Sequence, residues 1–303
     1  MATVKNSKNG SLVLSGNASK NGAAEVSAFY TARKLSEKIK EKDLAYTENP
    51  LPPDVLNKIF FKSPDNMSEL PDESVHLVVT SPPLKAMLEE NENLTLAEYL
   101  NFLRPVWAEV NRVLVPGGRI CVHVSNYGKK PYIPVHLFVA KDLMDMGFLM
   151  RGEIIWHKLD AEKDQTSWGS WRSPSNPVLR ETHDYVLIFS KDSYGRKPTQ
   201  NRNGHLSAEE FLEYTQSVWH IPDVPPRNTG HKHNVHIKLP QRLIKLYSYE
   251  GETVLDPFMG SGQTALAALQ TGRNFVGYET DKKYVRLAER RINQLLKEQL
   301  QVA

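Results

Sequence analysis

Between Leu56 and Trp156 short apolar runs alternate with stretches of helical period, and this alternation restricts the chain to few folds. The runs are IFF, VHLVV, RICVHV and EIIW. Leu96 to Val113 reads as one helix ending at VPGG, and a second helix is expected around His136 to Met146. A Ser/Pro/Asp start signal after IFF predicts a short helix before VHLVV, which would make this region a β-α-β unit. Strands that alternate with helices pair in parallel, because a parallel neighbour needs a crossover connection. The expectation is a largely parallel sheet with helices packed against it.

The alternation breaks after His157. Residues 159 to 238 are rich in Trp, Ser, Pro, Asn and His, with one strand candidate, YVLIFS, and one short helix near Ser207 to Gln216. Order resumes with LPQRLIKLYS as a helix, TVLDPF as a strand, TALAALQ as a helix, FVGYE as a strand, and a helix from Tyr284 to about Leu300. Ahead of this body, residues 1 to 24 carry lysines but no acid and are expected to form a flexible tail. Phe29, Ala32, Leu35 and Ile39 recur at helical spacing and predict an accessory helix. The expected division is 1–45 for tail and helix, 46–303 for the main domain.

A composition of 40% hydrophobic and 24% charged residues suits a soluble chain, and no apolar run approaches membrane-spanning length. The N-terminal apolar stretch is too short for a signal peptide. The single Cys121 has no internal disulfide partner and lies in an apolar run, where a buried, inert thiol is expected. An intracellular location follows as the expectation. A net charge of +3 does not by itself indicate a nucleic-acid partner.

Two motifs carry chemistry. In TVLDPFMGSGQT, Asp256 ends a strand, Gly260 and Gly262 occupy the turn, and a helix follows; Glu279 ends the next strand, where it can accept hydrogen bonds from ribose hydroxyls. This loop lacks the Lys-Ser/Thr of a phosphate-binding loop and does not fit G-x-G-x-x-G, which leaves S-adenosylmethionine, a cofactor without phosphates. The second motif is Thr80-Ser81-Pro82-Pro83 at the end of VHLVVT. Proline has no N–H and a fixed φ, so the pair ends the strand and stiffens the chain leaving it. Ligands in open α/β sheets lie beyond the carboxyl ends of the strands, so both motifs can face one crevice. There the Ser81 hydroxyl and a backbone carbonyl of Ser81 or Pro82 could accept the N–H groups of an exocyclic amine and aim its lone pair at the methyl group.

These residues resemble the β class of S-adenosylmethionine-dependent DNA amino-methyltransferases, circularly permuted so that the target-amine motif precedes the cofactor motif. The resemblance rests on TSPP, EIIWHK, WGSWRSPSNPVLR, LPQRLIKLYS, DPFMGSGQT and FVGYE in that order, and covers roughly residues 55 to 297. It implies a three-layer Rossmann-like methyltransferase fold with a target-recognition insert at about 159–238. It also implies that Ser81, Pro82, Pro83 and Leu84 hold the target amine, and that Thr80, Asp256, Pro257, Phe258, Gly260, Ser261, Gly262 and Glu279 line the cofactor site. Serine at the head of the motif is associated most often with cytosine N4, while adenine N6 stays open as the alternative. A double-stranded DNA substrate reached by base flipping, a restriction-modification role with a cognate endonuclease, a monomer or homodimer, and a cytoplasmic, nucleoid-associated location complete what the resemblance implies.

Leu84 stands where the family usually has Tyr or Phe, an aromatic that would stack on a flipped base; Trp168 or Trp171 could supply the missing face. Gln263 replaces a common threonine. These departures keep a weakly active or inactive DNA-binding relative in view. Basic residues in the insert, Arg172, Lys191, Arg196, Lys197, Arg202, Arg227 and Lys232, are the expected DNA contacts. His231, His233 and His236 match no zinc spacing, so no metal is expected. Cytosine C5 methylation needs a cysteine nucleophile after a proline, but Cys121 follows Ile120. Methylation of a protein glutamine amide is disfavoured, because those enzymes place the cofactor loop first.

Overall fold

Val75–Thr80 form β2, buried at all six positions, and around it the sheet is assembled. The computed structural model describes residues 46–128, 130–158, 169–196, 202, 204, 206–222 and 235–302. The expected tail and first helix, Trp168, Lys197, Arg227, Lys232, His231 and His233 lie outside them. The strands are β1 (Lys58–Phe61), β2, β3 (Leu114–Val124), β4 (Leu149–Lys158), β5 (His183–Ser190), β6 (Val218–Ile221), β7 (Thr253–Asp256) and β8 (Asn274–Glu279). The helices are α1 (Leu84–Glu90), α2 (Leu96–Val113), α3 (Val135–Asp145), α4 (Ala208–Tyr214), α5 (Lys238–Tyr247), α6 (Gln263–Gln270) and α7 (Lys282–Val302).

The sheet order is β1-β8-β7-β2-β3-β5-β4-β6, with β5 antiparallel to both of its neighbours and the remaining pairs parallel. Strand alternation sorts the side chains between two faces. Val78, Ile120, Val122, Leu255 and Tyr278 pack with α2 and α3, while Leu77, Val79, Cys121, Val254 and Phe275 pack with α5, α6 and α7. Three layers result, a Rossmann-like arrangement with helices on both faces of the sheet. Among the described residues no helix is long and apolar enough to cross a membrane.

Local signals explain the boundaries. Thr95 and Glu98 form a reciprocal capping box that starts α2. VPGG does not end that helix in a loop: β3 begins at once at Leu114, and its pairing with β2 slips between Val75 and Leu77. Gly117 takes φ +74° there, and a Cβ on it would sit 2.5 Å from the Gly195 carbonyl oxygen.

Three expectations need correction. No helix joins β1 to β2, and β1 pairs with β8, so the first two strands are not a β-α-β unit. In the insert the expected strand YVLIFS falls within β5 and the expected short helix is α4, but a further strand, β6, also lies within 159–238 and joins the sheet edge. Leu84–Glu90 form a helix and Val218–Ile221 a strand that the periodicity did not reveal, both being too short for it to register.

Candidate functional site

Because β2 and β7 are parallel neighbours, with Val78 opposite Leu255, the TSPP and DPF segments leave the sheet side by side. Asp256 joins them. Its Oδ1 accepts hydrogen bonds from Thr80 Oγ1 (2.7 Å) and the Phe258 N–H (3.0 Å), and its Oδ2 accepts one from Thr264 Oγ1 (2.7 Å). One carboxylate thus pins the end of β2, the turn after β7 and the start of α6.

Burial raises Asp256 to about 6, against the pull of those hydrogen bonds. The folded chain therefore holds a proton that the unfolded chain releases between roughly pH 4 and 6. Stability falls as pH rises through that window, by on the order of 2 to 3 kcal/mol for this group. D256N is expected to lose that portion of the pH dependence, which thermal unfolding at both ends of the window measures. Burial also raises Glu279, so its contribution has the same sign.

After Asp256 the chain makes the glycine turn. Gly260 and Gly262 take φ of +52° and +82°, and a Cβ on Gly262 would come within 2.9 Å of the Ala288 Cβ on α7. Four N–H groups of the turn are already engaged. Phe258 donates to Asp256, Met259 to the Tyr278 carbonyl (2.9 Å), Gly260 to Glu279 Oε2 (2.8 Å) and Gly262 to the Met259 carbonyl (3.0 Å). A phosphate cradle needs such donors, and two carboxylates nearby would repel an anion. Sulfonium carries the opposite charge and needs no cradle, so these residues fit S-adenosylmethionine. Gln263 supports the turn from behind: Arg291 on α7 donates to its Oε1 and to the Ser261 carbonyl, while its own Nε2 donates to the Val235 carbonyl (2.7 Å).

A cavity of about 610 Å³ opens over both motifs. Thr80, Ser81, Pro82, Pro83 and Leu84 line it, as do Asp256, Pro257, Phe258, Gly260, Ser261 and Glu279. Gly262 is the expected site residue that does not reach it; its place is the packing of the turn on α7. Leu84 opens α1 and, like Phe258, packs against the core. Phe258 in turn leans on Phe102 and Trp107, with ring centroids 5.9 and 6.5 Å away.

The cavity also contains residues to which the sequence assigned no role: His123, Trp156, Lys158 and Asp184. Ser81 Oγ lies 2.8 Å from His123 Nδ1, and His123 Nε2 lies 3.0 Å from Asp184 Oδ2. Lys158 Nζ reaches the same oxygen at 2.6 Å, and the Trp156 ring lies 5.2 Å from the His123 ring. Burial pushes the Asp184 carboxyl up, but His123 and Lys158 outweigh it and hold the group well below the ordinary carboxylate range. The apolar wall includes Cys121, whose thiol burial raises. Trp171 is 66% exposed and does not line the cavity; among the described residues Trp156 is the tryptophan that does. The missed signals were weak: His123 ends an apolar strand, and Asp184 reaches the cleft only because β5 runs antiparallel.

The basic residues divide. Arg172 is exposed, with φ +53°. Lys191, Arg196 and Arg202 sit at the other end of the strands. Lys191 Nζ donates to the Leu114 carbonyl (2.7 Å), and Arg196 and Arg202 each reach Glu252, next to the start of β7, at 2.8 Å. The length of β2, roughly 16 Å at about 3.3 Å per residue, separates that edge from Ser81. Lys191, Arg196 and Arg202, expected as DNA contacts, are thus held by partners within the protein at the sheet edge away from Ser81.

The three-layer fold thus sets the TSPP motif and the glycine turn around one cavity whose lining fits a phosphate-free, nucleoside-bearing cofactor. Residues 75–290 match the family model for DNA methylases of the N6/N4 type, and the chain belongs to that family of DNA amino-methyltransferases. Its methyl donor is S-adenosylmethionine. It is 32% identical over 276 residues to the type II methyltransferase M.MthZI of Methanothermobacter thermautotrophicus, covering 80% of this chain and 78% of that protein. M.MjaI of Methanocaldococcus jannaschii is also 32% identical over 276 residues, with 78% and 91% covered. Among solved structures, TTHA0409 of Thermus thermophilus, complexed with S-adenosyl-L-methionine, aligns with a TM-score of 0.64 at 29% identity, over 79% of this chain and 94% of that one. PvuII DNA methyltransferase (cytosine-N4-specific) aligns with a TM-score of 0.61 at 19% identity, over 83% and 95%, a likeness of fold.

Proposed function

We propose that this DNA methyltransferase acts on the N4 amine of cytosine, flipped out of the duplex so that its amine meets Ser81. The observation that carries this reading is that Ser81 and the glycine turn open on one cavity. Ser81 and the carbonyls held by Pro82 and Pro83 accept the amine N–H groups and keep the nitrogen lone pair aimed along the methyl-transfer line. Thr80, Asp256, Pro257, Phe258, Gly260, Ser261, Gly262 and Glu279 shape the cofactor side. A stacked base cannot reach a recessed cavity, which is why flipping belongs to the reading.

Methyl-labelled cofactor and unmodified DNA, digested to nucleosides and identified by mass, test it. N4-methylcytosine is expected. N6-methyladenine overturns the choice of base, and label on neither base overturns the enzyme reading. Leu84→Tyr is expected to raise turnover on DNA severalfold, because stacking on a flipped base contributes about 1 to 3 kcal/mol. Unchanged single-turnover rates would count against stacking at that position.

On the DNA side, Arg172, Lys197, Arg227 and Lys232 are the proposed phosphate contacts, within a recognition region drawn from the parts of 159–238 outside β5 and β6. Residues 46–303 then constitute the catalytic domain. Since the relatives are named type II methyltransferases, a cognate restriction endonuclease is the proposed partner, and the chain acts as a monomer or homodimer.

A further inference from the structure

We propose that Asp184 and Lys158 act through His123 as positioning residues that make Ser81 an obligate acceptor toward the cavity and give the amine proton a place to go. The inference rests on the reading of Ser81 as the group facing the target amine.

Hydrogen-bond polarity carries the argument. A carboxylate only accepts, so Asp184 Oδ2, 3.0 Å from Nε2, requires the His123 proton on that nitrogen. A neutral imidazole then has a bare lone pair at Nδ1, and the Ser81 hydroxyl, 2.8 Å away, is the donor to it. With its only hydrogen committed inward, Ser81 Oγ presents lone pairs to the cavity and nothing that could compete with an amine N–H. Were the proton on Nδ1, it would donate to Ser81, and the hydroxyl hydrogen would turn toward the cavity and repel the amine.

Lys158 shares the same Asp184 oxygen at 2.6 Å, which holds that carboxylate in place beside His123. The groups facing that ring are Ser81 from the end of β2, Asp184 from β5, and Lys158 and Trp156 from β4; Cys121, two residues earlier on β3, remains a buried thiol. The Trp156 ring is tilted against the His123 ring with centroids 5.2 Å apart, and its own Nε1 donates to the Ile221 carbonyl at 2.9 Å.

The same chain completes the proton balance. As the amine nitrogen uses its lone pair to form the N–C bond, the C–S bond breaks with its electron pair remaining on sulfur. The nitrogen then gives one N–H proton to Ser81 Oγ, and the hydroxyl proton moves to His123 Nδ1. The imidazolium so formed lies against Asp184 and later releases its proton to solvent.

Long-range nitrogen–proton NMR of the full chain with labelled histidine reads the tautomer directly. We expect His123 neutral, protonated at Nε2 and bare at Nδ1. Asp184→Asn, whose amide can donate to Nε2, is expected to abolish that preference and lower kcat about 10²-fold, with KM for the cofactor within about 3-fold. A merely structural Asp184 would leave the tautomer unchanged in any variant that folds. His123 protonated at Nδ1 in the unsubstituted chain overturns the proposal, and that measurement stands even where D184N does not fold; kcat within about 3-fold in D184N overturns it as well. An unsubstituted chain that shows the expected tautomer but labels no DNA overturns the methyltransferase reading instead, so the two failures are distinguishable.

Discussion

Glu252→Ala is expected to destabilise the fold by about 3 to 5 kcal/mol, the loss that follows when one partner is removed from a buried ionic network. Glu252 is 2% exposed. Its carboxylate accepts from Arg196 Nη2 and Arg202 Nη1, both at 2.8 Å, and from the Tyr249 N–H at 2.9 Å. Arg202 also reaches Glu48 at 2.6 Å, which ties residue 48 to the sheet edge. Alanine would leave the Arg196 guanidinium, which already has one buried and unpartnered nitrogen, without its counter-charge. For a chain of this size the shift corresponds to a fall in Tm of roughly 6 to 20 °C. Urea unfolding should show a lower midpoint at unchanged slope. A loss below about 1 kcal/mol would mean that water or Glu48 satisfies the arginines instead. Because this network lies at the edge of the sheet away from Ser81, replacing Arg202 should leave the salt dependence of DNA binding unaltered, whereas a phosphate contact would lower its slope by about one.

Ser81→Ala is expected to reduce single-turnover methyl transfer about 10³-fold, while the Kd for S-adenosylmethionine stays within about 3-fold. The substitution removes the hydroxyl acceptor but leaves the Pro82-Pro83 backbone and the glycine turn in place. It also deprives His123 Nδ1 of its 2.8 Å donor, a change that costs on the order of 1 kcal/mol of stability. Rapid-quench transfer assays, with cofactor binding followed by calorimetry, separate these effects. Transfer within tenfold of the unsubstituted rate would mean that backbone carbonyls suffice to orient the amine. A joint loss of transfer and cofactor affinity would instead show that the β2 end had rearranged, with Thr80 no longer anchored to Asp256.

The main elements and both ligand-facing motifs were legible because each is a local pattern. Leu96–Val113 has helical spacing and a Thr95/Glu98 cap within a few residues, and the glycine turn sits directly between a strand and a helix. Prolines after Thr80 and glycines after Asp256 mark strand ends through steric constraints that need no neighbours. Chemistry in those stretches could therefore be named one residue at a time.

What the tertiary structure alone decided is which distant groups share a dielectric environment and a hydrogen bond. His123, Lys158 and Asp184 come from three strands, and they meet at Ser81 only because β5 runs antiparallel to β3 and β4, bringing its first residues to the carboxyl ends of its neighbours. Antiparallel direction and register depend on pairing across the sheet, which no short window of sequence encodes. The basic residues show the same limit: Arg196 and Arg202 resemble DNA contacts in the chain, yet their partner Glu252 lies some fifty residues further on and is buried at the far strand edge. Local pattern by itself determined the alternation of strands and helices, the strand ends and the two motifs; pairing across long separations determined which charges are solvated, which are buried, and which one orients the serine.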